Sequence, residues 1–136
     1  RAMAGLVGSE RVEVLTSPLP RGEFLELLAQ AHRAILLPRP TEGFYLPALE
    51  AMALGTLVIC PDCVGNRGFC RDGETAILPA SRDVDAWLAA VARARGLSVE
   101  RAAAIAGNAR MVAAEHSLAR ERAAFHEVLT AVGSLW

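Results

Sequence analysis

Four short apolar runs constrain this chain more than any other feature: VEVL (12–15), AILL (34–37), TLVIC (56–60) and AILP (76–79). They are nearly unbroken rather than alternating. An alternating strand keeps one face in water, whereas an unbroken run needs cover on both faces, as in a parallel sheet flanked by helices. Helical stretches lie between the runs. GEFLELLAQAH places Phe24, Leu27, Leu28 and Ala31 on one stripe, with Glu23 and Glu26 in the first turn. LPALEAMAL (46–54) reads as a short apolar helix stopped at Gly55, where a left-handed cap is common. Asp72-Gly73 reads as a turn, and Asp83, Ser98 and Ser117 stand as N-caps before three further helices. Strands alternating with helices predict an α/β fold, a Rossmann-like parallel sheet with flanking helices.

The 136 residues are enough for one domain with a real core, and 53% hydrophobic against 21% charged residues excludes a disordered tail or polyelectrolyte. A formal net charge of -1 gives no electrostatic reason for a nucleic-acid partner. No apolar run reaches the ~20 residues of a membrane span, and the start lacks a signal-peptide pattern, so a cytoplasmic location is expected. The opening RAMAGLVG reads as the tail of a helix. The expectation is therefore a single partial domain over 1–136, truncated at its N-terminus.

Cys60, Cys63 and Cys70 lie close together, and Cys60-x-x-Cys63 is a spacing used by zinc and redox sites. With no second C-x-x-C and no nearby histidine, reduced structural thiols and no metal are expected. His32, His116 and His126 are expected on the surface or at helix caps, away from the cleft.

Ligands of an open parallel sheet bind beyond the carboxyl ends of its strands, and PRPTEGFY is the loop at that edge. Free amides at the following helix start favour an anion, and Gly43 would permit close backbone approach and an unusual dihedral. Glu42 is an acceptor suited to a hydroxyl-bearing ligand. Glu50 has Leu46, Pro47, Ala53 and Leu54 as its i±3 and i±4 neighbours, so no cation on its own helix pairs with it. Its partner is a pair of vicinal hydroxyls such as a ribose diol, an arginine from elsewhere, or water.

PRPTEGFYLPALEAMALGTLVICPD, followed by DGETAIL, resembles the C-terminal half of the group 1 (family-4-like) glycosyltransferases of the GT-B fold. Their signature is Glu-x7-Glu within P-S-x-x-E-G-F-G-L-P-x-L-E-A-M-A-x-G-x-P-V-V, and Glu42 and Glu50 have that spacing. The resemblance implies a retaining hexosyltransferase of glycan or polysaccharide biosynthesis, using a nucleotide diphosphate-sugar and no other cofactor. It gives Glu42 the catalytic position near the reacting carbon of the sugar and Glu50 the ribose hydroxyls. Gly43, Phe44, Tyr45 and Leu46 fall in the turn whose amides face the sugar and diphosphate. Thr16, near the base, Arg39, near phosphate, and Gly65, in a counterpart of the family's GGxxE loop, complete the candidate positions.

Departures from the pattern matter. Tyr45 replaces a glycine and adds bulk beside the expected sugar pocket, either reshaping donor choice or pointing away harmlessly; Arg39 replaces a serine, either adding charge near phosphate or facing solvent; and Ala76 replaces the last glycine of DGxxG. An Arg and a Lys that neutralise the leaving diphosphate in the family have no counterpart before Glu10, and the acceptor-binding domain has none either. This piece alone is expected to be inactive. The alternatives are a degenerate, non-catalytic binding or assembly domain, or another GT-B enzyme such as a sugar-nucleotide epimerase.

Overall fold

The computed structural model describes residues 11–133, so the helix tail expected over RAMAGLVG lies outside the described residues. Helix α1 (Arg21–Gln30) leads into strand β1 (Arg33–Ile35), and α2 (Leu46–Leu54) leads into β2 (Leu57–Ile59). A short 3₁₀ turn (Val64–Asn66) precedes α3 (Val84–Arg95), α4 (Val99–Glu115) and α5 (Leu118–Gly133). β1 and β2 are parallel, with Arg33 opposite Leu57, Ala34 opposite Val58 and Ile35 opposite Ile59.

Both faces of this small sheet are covered, which explains its unbroken apolar sequence. On one side Ala34, Leu36, Val58 and Cys60 join Leu28 of α1, Ala48, Ala51 and Met52 of α2, and Ala109 and Ala113 of α4. On the other, Leu57, Ile59 and Ile77 pack with Ala90, Val91 and Ala94 of α3 and Ile105 of α4. The side chains divide by twos along the strands, as pleating requires. α2 lies against α1, α4 and β2, so its apolar composition reflects burial on several sides.

Two expected strands need correction. Residues 11–16 carry no regular structure, Val12, Val14 and Leu15 are exposed, and no described residue pairs with 12–15. An apolar run joins a sheet only where a neighbour supplies the ladder. The run at 76–79 joins the sheet through one parallel bridge, Ile59 to Ile77. Cys60 N–H donates to Ile77 O (3.1 Å) and Ile77 N–H to Val58 O (2.9 Å). Its neighbours serve the preceding turn instead, because Ala76 N–H donates to Arg71 O (3.1 Å) and Leu78 N–H to Asp72 Oδ1 (2.7 Å). Pro79 has no N–H to give.

The expected punctuation is present. Gly55 caps α2 at φ 83° and Gly73 turns at φ 70°. Asp83 accepts from Ala86 N–H and Ser98 from Arg101 N–H. Ser117 Oγ accepts from Arg120 N–H at 3.4 Å. α3 and α4 cover the sheet, whereas every described residue of α5 is exposed. Among the described residues, no helix is long and apolar enough to cross a membrane.

Candidate functional site

The chain leaving β1 makes a turn, Glu42 N–H donating to Arg39 O (3.1 Å), before entering α2. The chain leaving β2 makes the 3₁₀ turn and lies directly on that loop. Tyr45 N–H donates to Gly65 O (3.1 Å) and Val64 N–H to Pro40 O (3.4 Å). A Cβ on Gly65 would fall 0.9 Å from the Gly43 carbonyl oxygen, whereas one on Gly43 would meet nothing within 4 Å. Gly43 also lacks a positive φ. The close backbone approach expected of Gly43 therefore belongs to Gly65, and the unusual dihedral is absent.

The turn amides divide. Those of Tyr45 and Leu46 are spent internally, on Gly65 O and Phe44 O. Among the described residues no hydrogen bond engages the N–H of Gly43 or Phe44. Both stand at the start of a helix opened by Pro47.

The two carboxylates have different surroundings. Glu42 is half-buried on the loop, and no described side chain pairs with it. Glu50 projects from α2 with only 14% of its side chain exposed, and Arg21 Nη2 stands 2.6 Å from its Oε1. That approach is not aligned as a hydrogen bond, so Oε1 is buried beside a cation without a directed donor. We regard the contact as an ion pair of poor geometry. Of the partners open to Glu50 from its spacing, the ligand-free fold supplies the arginine.

Tyr45 turns inward and packs on the core cluster that contains Cys60, Phe69 and Cys70. Burial first, then the Cys60 and Cys63 sulfurs, then Glu42, push its hydroxyl up to about 12. The bulk expected beside the sugar is thus at least partly absorbed by the core. A phenol whose folded pKa exceeds its usual value near 10 holds its proton more tightly when folded. Its contribution is complete below pH ~10 and is lost as pH rises through about 12. Tyr45→Phe should therefore flatten the fall in stability over that alkaline window, as measured by urea unfolding of both proteins at a series of pH values.

Beneath the loop, Asn66 is fully buried and satisfied. Its Nδ2 donates to Pro61 O (2.9 Å) and Cys60 Sγ (3.3 Å), and its Oδ1 accepts from Cys63 N–H (3.0 Å). The three cysteines are free and buried. A hydrogen bond with Cys70 holds the Cys60 thiol below its ordinary range and raises that of Cys70, while burial raises Cys63. Among the described residues no three metal-ligating side chains converge. On the surface of the same turn, Asp62 accepts from Arg67, which holds its carboxyl low, with a last contribution from the charge of Arg82.

One histidine is exposed at a helix cap, as expected, but not away from the cleft. His116, the C-cap of α4, lies 5.6 Å from the Phe44 ring and 5.8 Å from Phe69, ring centre to ring centre. Phe44 is itself 5.6 Å from Phe69 and 56% exposed. His116 thus supports an aromatic surface on the site loop instead of lying away from it. His32 and His126 are exposed. Arg39 is exposed on the loop, Leu46 is exposed at the first position of α2, and Thr16 is exposed in the irregular segment before α1. Glu42, Gly43, Phe44, Tyr45, Leu46 and Gly65 are brought together; no contact among the described residues joins Thr16 to them.

Arg21, Asn66, Arg82 and His116 carry no motif that assigns them to this region. Arg82 Nη1 donates to Pro38 O and Nη2 to Asp62 O, each at 2.7 Å. Only the need of Glu50 for a distant cation signalled any of the four.

The sequence model of the family described as "Glycosyl transferases group 1" matches residues 3–95. Relatives include the D-inositol 3-phosphate glycosyltransferase of Mycobacterium avium (strain 104), 41% identical over 90 residues, covering 66% of this chain and 20% of the relative. That of Geodermatophilus obscurus is 35% identical over 98 residues, covering 64% and 22%. That of Acidothermus cellulolyticus is 30% identical over 93 residues, covering 68% and 20%. The chain spans about a fifth of the length of these curated relatives.

Proposed function

The chain belongs to the group 1 glycosyl transferases, and from that membership we propose that it supplies the donor-binding portion of a retaining glycosyltransferase. The whole enzyme would move a hexose from a nucleotide diphosphate-sugar to an acceptor, with no metal or further cofactor. The observation that carries this reading is the Glu42–Glu50 pair. One carboxylate lies on the loop beyond β1 and the other is nearly buried on the next helix, at the sheet edge where ligands bind.

In this reading Glu50 accepts both hydroxyls of the ribose diol, exchanging a misaligned arginine for two directed donors. Glu42 stands near the reacting carbon, and the sugar keeps its configuration by front-face displacement. The Gly43 and Phe44 amides face the diphosphate. A departing diphosphate needs cations aimed at its developing charge, and the portion of the enzyme outside this chain would contribute them and bind the acceptor. The relatives act, by name, on D-inositol 3-phosphate, so a phosphorylated polyol is the acceptor to try first with a whole protein. Isothermal titration of the 136-residue chain with UDP-, GDP-, ADP- and dTDP-sugars should find one that binds. Silence from all of them at millimolar concentration would sink the donor-site reading.

A second reading is a non-catalytic binding or assembly domain. It is favoured by Arg21 already occupying Glu50 and by the internally spent Tyr45 and Leu46 amides. Transfer products from a whole protein, which only the transferase reading yields, separate the two.

A further inference from the structure

We propose that Arg82 is a positioning residue of the candidate site, holding the chain that leaves β1 and the chain that leaves β2 at a fixed spacing. Its two terminal nitrogens reach two carbonyls, Pro38 O and Asp62 O, each at 2.7 Å. Those carbonyls lie just past the ends of adjacent parallel strands, on the edge where the Glu42 loop and the Val64–Asn66 turn begin. A guanidinium is a planar fork with a fixed distance between its N–H groups. Two carbonyls on separate segments can therefore be held in register by one side chain, which the single point charge of lysine does less well.

The anchorage behind Arg82 is firm. The next residue, Asp83, caps α3 by accepting from Ala86 N–H (2.9 Å), and α3 packs on the face of β2. Ahead of Arg82, the backbones of the two loops meet through contacts of close tolerance, Tyr45 N–H to Gly65 O and Val64 N–H to Pro40 O. A shift between Pro38 and Asp62 would be passed directly to those bonds, because Pro40 and Val64 are two residues beyond each clamped carbonyl. Arg82 thus fixes the spacing at the base of the loops, and Gly65 fixes it at their tips. No part of this needs Arg82 to touch a ligand, so it is not assigned a catalytic role.

The test is amide hydrogen exchange by NMR on the full 136-residue chain, comparing wild type, Arg82→Lys and Arg82→Ala. The reporters are the Tyr45 and Val64 amides; the references are the Cys60 and Ile77 amides, bonded to Ile77 O and Val58 O within the sheet. Arg82→Ala should accelerate the reporters about tenfold or more, leaving the references within about twofold, with Arg82→Lys between. Unchanged reporters would overturn the proposal, and so would equal acceleration of all four amides, which would mean general destabilisation. If Arg82→Ala does not fold, wild type against Arg82→Lys decides by the same criterion.

A second arm rests on the donor-site reading and uses UDP as the probe. Affinity should fall about tenfold in Arg82→Ala, with Arg82→Lys between it and wild type. If wild type fails to bind UDP, that counts against the donor-site reading, while the exchange result, which needs no ligand, still decides the role of Arg82.

Discussion

Gly65→Ala should abolish donor binding and lower the stability of the chain by about 3 kcal/mol. The added methyl would fall 0.9 Å from the Gly43 carbonyl oxygen, 2.1 Å from its carbon and 2.9 Å from Phe44 N. All three are backbone atoms, so no flexible side chain can swing aside. Either the 3₁₀ turn or the Glu42 loop has to move, and the bond from Tyr45 N–H to Gly65 O is lost with it. The displaced segment carries Glu42 and the Gly43 and Phe44 amides, so the proposed donor site moves with the loop. Thermal denaturation should show a drop in Tm on the order of 10 °C. Gly68→Ala is the control, since a Cβ there meets nothing within 4 Å. Similar behaviour of the two variants would refute the close approach as the constraint.

Glu50→Gln should reduce nucleotide-sugar affinity on the order of 100-fold while leaving the unliganded fold nearly as stable. The amide keeps the shape of the side chain but loses the charge that strengthens hydrogen bonds from a ribose diol, each worth about 1.5–3 kcal/mol to an ionised acceptor. Stability changes little because Arg21 is 70% exposed and its pair with Glu50 is screened, contributing under about 1 kcal/mol. Arg21→Ala gives the complementary result. It removes a competitor for the carboxylate, so affinity should hold or rise. Titration of both variants and their double mutant decides the matter. Equal, small stability losses with unchanged affinity would mark the pair as structural and count against Glu50 as a ligand.

Much of this region was legible before any coordinates. Glu-x7-Glu places one carboxylate before a helix and the other within it, and helix geometry alone showed that Glu50 lacks a cation on its own helix. Gly55, Gly73, Asp83 and Ser98 take the turn and cap roles that their residue types favour. Arg21 itself was not legible. It stands far along the chain from Glu50, and any of several arginines met the same requirement.

The strands show where such reading stops. AILL and TLVIC both supply paired strands, VEVL has no partner among the described residues, and AILP keeps one bridge to the sheet because a neighbouring turn uses the amides beside Ile77. An apolar run records the capacity for burial, and pairing depends on what lies beside it. The acceptors of Arg82 are backbone carbonyls, which are alike at every residue, so nothing in their sequence marks them. His116 reaches Phe44 only because α4 ends beside the site loop.

The sequence by itself determined the α/β alternation, the helix ends, the family and the two glutamates, because periodicity, capping and motif spacing act over a few neighbouring residues. Tertiary structure decided that Gly65 rather than Gly43 is the constrained glycine, that Arg21 holds Glu50, that Tyr45 turns into the core, and that Arg82 joins the two strand ends. Each of these depends on a distance between segments separated along the chain, and such distances are set only when the helices close over both faces of the sheet.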